Sequence, residues 1–186
     1  MSSPDSARGA AARTGLAVVL LAAGLLGAGC TVRPLYSDAV APGASAPMGA
    51  QLAAVSVNPV STRQGQEVRN QLIFLLGGGQ GNPSAPAYTL DIAVTSYSSA
   101  AAVIQVSTNT QSPTSSLLTM SAGYTLTEAA TGRVVARGRR AISSAYDVPQ
   151  QQFAALRSER DAENRAAREL AEQLRFAIAQ DLSKER

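Results

Sequence analysis

Apolar and polar residues alternate along the middle of the chain. Every second residue is Leu, Ile, Val, Met, Ala or Tyr over residues 88–94 and again over residues 118–127, with polar or small residues between them. A period of two is typical of a strand with one buried and one wet face. Residues 130–133 resemble a hairpin turn into a further strand over residues 134–144, where Gly138 indicates a bulge or a close backbone approach. The alternation therefore predicts two or three long antiparallel strands.

Two other segments place apolar residues at helical spacing. Residues 65–76 form the first, and the glycine triplet at residues 77–79 is typical of a helix end. Pro149 is expected to open the second, with Phe153 and Leu156 anchoring its first half. The apolar stripe of its second half consists of Ala167, Leu170, Leu174, Ile178 and Leu182.

The order of these elements predicts the fold class. A short β-branched segment at residues 51–60 suits a first strand, so the order is strand, short helix, two or three antiparallel strands and long helix. One face of each helix and one face of the sheet must be buried. We therefore expect an α+β fold, with two helices packed on one face of a four-stranded, mainly antiparallel sheet. Aromatic residues make up only 4% of the chain, so the core should consist mainly of Leu, Val, Ile and Ala.

The N-terminal segment has the architecture of a secretory signal. A polar stretch with two arginines is followed by an apolar run over residues 16–26 and by small residues up to Cys30. The apolar run is about half the ~20 residues that cross a bilayer. We expect residues 1–29 to be a lipoprotein signal peptide, residues 30–50 a lipidated N-terminus and flexible tether, and residues 51–186 a single α+β domain. A buried free thiol at Cys30 is the alternative.

Composition excludes most catalytic chemistry. The chain has 16 Lys and Arg against 13 Asp and Glu, a single Cys and no His. The usual zinc sites, Ser-His-Asp triads and Cys-His dyads are therefore ruled out. Carboxylates such as Asp91, Glu128 and Asp147 form no pair whose spacing assigns acid and base roles. We expect no catalytic residue, no metal site and no cofactor, and the interleaved charges do not favour nucleic acid.

Three segments resemble one family. They are CTVRPLY at residues 30–36, VRNQLIFLL at residues 68–76 with the glycines that follow, and the Ala-rich residues 161–174. Together they resemble the LPS-assembly lipoprotein family, LptE, in its alphaproteobacterial form. The LLGAGC stretch that ends at Cys30 is similar to a lipobox, with Gly27 where a large aliphatic residue is usual.

The resemblance implies a location and two partners. It implies that Cys30 is acylated, and Thr31 in place of Asp after it implies the periplasmic face of the outer membrane. Members of the family are implied to plug the outer-membrane barrel protein LptD, to help assemble it and to bind lipopolysaccharide during its transport. Another lipoprotein adaptor, such as an ABC-transporter auxiliary component, is the alternative function.

Four arginines are the candidate lipopolysaccharide-binding residues. Their planar guanidinium groups suit phosphate oxygens. Alternation places three of them on one strand face and the fourth on the other, unless Gly138 bulges. A solvated strand edge that discourages aggregation is the alternative interpretation. The three on one face are Arg133, Arg137 and Arg139, and the fourth is Arg140.

Overall fold

The computed structural model describes residues 46–107 and 110–184. Its elements in chain order are α1 (Met48–Ala53), β1 (Val55–Val57), α2 (Arg63–Gly77), β2 (Tyr88–Ser107), β3 (Thr110–Glu128), β4 (Val134–Asp147) and α3 (Gln152–Lys184). The predicted α+β class is confirmed. Cys30, the expected signal peptide and most of the expected tether lie outside the described residues.

The four strands form one sheet in the order β1-β2-β3-β4. Strand β1 runs parallel to β2 and is joined to it through α2, while β2, β3 and β4 form an antiparallel meander. In the antiparallel part, Leu90, Leu126 and Ala136 lie in one row across the sheet. Because residues directly opposite each other share a face, this register places the alternating apolar residues of neighbouring strands together.

One face of the sheet packs against the helices. On β3, the predicted apolar positions Leu118, Met120, Ala122, Tyr124 and Leu126 are all buried. The predicted stripe of α3 is also buried throughout, from Ala167 to Leu182. The core is mainly Leu, Val, Ile and Ala, as expected, and burial of this apolar surface drives the association of the two layers.

Helix α2 has an identifiable cap at each end. The Thr62 hydroxyl accepts a hydrogen bond from the backbone N–H of Gly65 at 3.1 Å, which satisfies one of the unpaired donors of the first turn. At the other end Gly78 has φ 57°, a left-handed conformation that glycine adopts without steric cost. The predicted helix and its termination at the glycine triplet are therefore confirmed.

Two side chains after the end of β1 hydrogen-bond with its last residue. The Asn82 side-chain oxygen accepts from the Val57 N–H at 3.1 Å, and its amide nitrogen donates to the Val57 carbonyl at the same distance. Arg69 of α2 also donates to the Val57 carbonyl and to that of Asn58. Asn82 therefore pairs with β1 as a neighbouring strand would.

Three expectations about the first strand and the long helix are wrong. The first strand is only three residues long. Leu52, which was expected in this strand, lies in the short helix α1 and is buried in the core from there. Helix α3 begins at Gln152, so Pro149 precedes it. Phe153 and Leu156 do not anchor α3, since their side chains are 88% and 49% exposed. The first buried residue of α3 is Ala162, three turns after the helix begins.

Candidate functional site

The second face of the sheet is rich in hydroxyl groups. Most rows on this face contain at least one Thr or Ser, supplied by β2, β3 or β4, whereas the row of Ala93, Gly123 and Arg139 contains none. The hydroxyls of Thr95 and Ser121 lie 3.0 Å apart, and those of Thr119 and Ser143 lie 3.1 Å apart. These cross-strand pairs give the face a polar but largely uncharged character.

Two of the four candidate arginines lie side by side on this hydroxyl-rich face. Arg137 is opposite Thr125, and Arg139 is opposite Gly123. Two residues along one strand face place their Cα atoms about 7 Å apart. Arg139 donates from Nη2 to the Ser121 hydroxyl at 2.8 Å, which holds its guanidinium over the central strand.

A shallow depression on the sheet is lined by residues of β2, β3 and β4, and Arg137 is the one of the two arginines that lines it. Gly123 is among its lining residues, and a Cβ added there would have no neighbour within 4 Å. Its rim includes Arg137, Thr125 and Asp91, the last of which accepts a hydrogen bond of 2.6 Å from the Asn58 side chain. Among the ion pairs of the described residues, none includes Arg137 or Arg139. The two guanidinium groups therefore face solvent without a paired carboxylate.

The other two candidate arginines lie elsewhere. Arg140 is opposite the buried Ala122 and so belongs to the helix-covered side, as alternation predicted. Arg133 was expected to share a face with Arg137 and Arg139, and this is wrong. The register shifts by one residue between Leu126 and Thr127, so the bulge lies before Gly138 rather than at it. Arg133 pairs instead with Glu128 in the turn, at 3.6 Å.

Gly138 marks a close approach instead of a bulge. A Cβ at this position would lie 2.6 Å from the Tyr124 hydroxyl oxygen. That hydroxyl donates to Asp181 Oδ2 of α3 at 2.6 Å, and Lys184 donates to the other carboxylate oxygen at 3.0 Å. Burial raises the pKa of Tyr124 to about 12, with further contributions from the hydrogen bond and the charge of Asp181. Tyr124 therefore joins the sheet to α3 as a neutral phenol.

The sequence indicates the arginines but not the residues of neighbouring strands that surround them. The contribution of Ser121, Thr95 and Gly123 depends on cross-strand register, which the sequence of one strand does not reveal.

Within residues 46–107 and 110–184, no three His, Cys, Asp or Glu side chains cluster as a metal site would require. In the same part of the chain, no helix has the length and apolar character needed to span a bilayer. The arrangement is suited to binding an anion on an open polar surface.

Comparison with known proteins identifies the family. The family model described as LptE, lipopolysaccharide-assembly, matches residues 52–178. The solved structure of a candidate lipoprotein from Caulobacter crescentus CB15 is similar over 73% of this chain and 96% of its own, with 27% identity and a TM-score of 0.59.

A second solved structure shares the fold. Rare lipoprotein B from Shewanella oneidensis is similar over 71% of this chain and 97% of its own, with 12% identity and a TM-score of 0.50. Among curated proteins, no sequence matches. The family match extends over more than half of the chain, from Leu52 in α1 to Ile178 in α3. This chain therefore belongs to the LptE family of lipopolysaccharide-assembly proteins.

Proposed function

We propose that this protein is an outer-membrane lipoprotein that helps to assemble the barrel protein LptD, plugs its lumen and binds lipopolysaccharide during transport to the cell surface. Acylation of Cys30 would attach it to the periplasmic face of that membrane, since several acyl chains together hold a protein stably. Family membership supports the assembly role.

The polar face of the sheet supports the role of a plug. The interior of an outer-membrane barrel is polar, so a protein inside it needs a surface that tolerates polar neighbours and water. The paired hydroxyls of Thr95 with Ser121 and of Thr119 with Ser143 provide such a surface. They also satisfy one another, so contact with a barrel wall would leave few unpaired groups.

Lipopolysaccharide binding is supported mainly by one observation. Arg137 and Arg139 lie on one open face and form no ion pair with a carboxylate of the described residues, and Arg139 is already oriented by Ser121. Phosphate groups of lipid A would supply the missing negative charge, and guanidinium groups bind phosphate through two parallel hydrogen bonds. We therefore assign the phosphate contact to these two arginines and not to Arg133 or Arg140.

The assembly role is tested by purifying the tagged full chain from detergent-solubilised outer membranes. A large β-barrel protein should co-purify in equal amount, and mass spectrometry should show acylated Cys30 at the N-terminus. Recovery of an inner-membrane transporter in place of a barrel would favour the adaptor alternative.

The ligand assignment is tested with two double variants of equal charge. Arg137→Ser with Arg139→Ser should weaken lipopolysaccharide binding by about tenfold or more, because charge-assisted hydrogen bonds contribute roughly 1.5–3 kcal/mol each. Arg157→Ser with Arg160→Ser removes two exposed charges from α3 and serves as the control. Equal binding by both double variants would rule out the assignment.

A further inference from the structure

The protein protects two of its strand edges in different ways. The outer edge of β1 is paired with the Asn82 side chain and covered by Arg69. The outer edge of β4 carries Arg137, Arg139 and Arg140. Charged side chains on an edge strand, and groups that occupy its backbone, both prevent pairing with another chain.

The third edge belongs to β2 and lacks such protection. Strand β1 pairs only with Tyr88 to Leu90, and the last backbone bond on this side runs from the Asn58 N–H to the Leu90 carbonyl at 2.9 Å. From residue 93 to residue 101, no strand of the described part of the chain pairs with β2 on this side. We call residues 93–101 the free edge.

The free edge has an unusual composition for an exposed strand. Its sequence, AVTSYSSAA, contains no charged residue, no proline and no glycine. Its last five side chains are exposed, including Tyr97 at 65%. An uncharged exposed edge favours strand addition or aggregation. Because the other two edges are protected, the free edge should be covered when the protein is in its functional complex.

Alternation defines which backbone groups are available. The Tyr88 N–H and the Leu90 carbonyl point toward β1. In a regular strand the same orientation recurs at every second residue, and the first irregularity of the β2–β3 register follows Ala100. The N–H and carbonyl groups of Val94, Ser96 and Ser98 should therefore point outward, as should those of Ala100.

We propose that the free edge accepts an extended segment of the barrel partner, which adds to the sheet as a further strand. This inference rests on the function proposed above. Main-chain hydrogen bonds would supply the contact, as in other cases of strand addition. The segment should have uncharged side chains, because residues 93–101 offer no charge to pair with them.

The size of the free edge favours this occupant over a second copy of the chain. Nine residues span about 30 Å, and an edge contact about 10 Å wide buries roughly 300 Å² per partner. Stable interfaces bury about 800 Å² per partner. The edge alone is too small for a stable dimer, whereas a partner that encloses the domain makes further contacts elsewhere.

The test compares two lysine substitutions in the same row of the sheet. Ser99 and Ala145 both lie opposite Leu117, on the same face, and both are exposed at opposite edges. Each tagged variant is co-expressed with the untagged wild-type chain, and the ratio of the two is measured in the purified barrel complex. Ser99→Lys should be depleted about tenfold, whereas Ala145→Lys should compete within about twofold.

Amide hydrogen exchange provides the second measurement. In the complex, exchange of Val94, Ser96 and Ser98 should slow by at least about tenfold, while that of Thr95 and Tyr97, which face β3, should change little. If no barrel co-purifies with the wild-type chain, the proposed function itself fails. If the barrel co-purifies but both variants compete equally or the three amides gain no protection, the inference is overturned. A dimer of the isolated chain that Ser99→Lys dissociates would also overturn it.

Discussion

Tyr124 is the residue at which the buried face of the sheet meets a charged group. Its ring lies against Gly138, where even one methyl group would collide with the phenol, and its hydroxyl donates to Asp181. The glycine was visible in the sequence as a mark of close approach, but its neighbour was not. Identifying Tyr124 requires the register that places it opposite Gly138.

Replacing Tyr124 with Phe should lower the free energy of unfolding by about 1.5–3 kcal/mol at pH 7. The variant keeps the ring but removes the donor to Asp181, and a net hydrogen bond to a charged group contributes about that much. Urea unfolding measures the change. Tyr97→Phe is the control, because the Tyr97 side chain is exposed and its replacement should leave stability unchanged.

The same pair of variants should differ in alkaline pH dependence. The pKa of Tyr124 is raised from 10.0 to about 12 in the folded protein, mainly by burial. The stability contributed by the neutral phenol is therefore complete below pH 10 and is lost as the pH rises toward 12. Unfolding free energies between pH 9 and 11 should fall more steeply for the wild type than for Tyr124→Phe. Parallel curves would contradict the buried phenol.

Helix α2 and the segment after it show what can be predicted at the scale of an element. The spacing of Val68, Leu72 and Leu76 and the glycines at the end fixed the helix correctly, because both signals are local. The length of strand β1 is overestimated from the sequence, since the groups that pair with its outer edge are side chains distant in sequence. Arg69 and Asn82 reach Val57 from 12 and 25 residues away, and no local pattern reveals such a contact.

Asn82→Ala tests how much this side-chain pairing stabilises β1. The substitution removes one acceptor and one donor from the backbone of Val57, so the free energy of unfolding should fall by about 1–2 kcal/mol. Asn70→Ala on the exposed side of α2 is the matched control and should change stability by less than about 0.5 kcal/mol. A similar effect of both substitutions in urea unfolding would show that Asn82 does not close the edge.

At the largest scale, the domain formed by residues 46–107 and 110–184 has a packed core, and one end of α3 and of β2 lies outside it. The first three turns of α3 contain no buried residue, and residues 97–101 of β2 are exposed at the same end, where Ser98 approaches Glu159 at 3.5 Å. Sequence patterns predicted the layers and the core, because those follow from periodicity. They could not show that α3 is longer than the surface it packs against, which led to the wrong placement of Phe153 and Leu156 in the core.

Phe153 and Leu156 should therefore contribute little to folding despite their apolar character. The double substitution Phe153→Ser with Leu156→Ser should change the free energy of unfolding by less than about 0.5 kcal/mol, because both side chains are already in contact with water. Leu170→Ala, at a fully buried position of the same helix, should cost about 2–5 kcal/mol. Denaturant unfolding of the wild type, the double variant and Leu170→Ala measures these changes. A loss of more than about 1 kcal/mol in the double variant would mean that the extended end of α3 is part of the cooperative core.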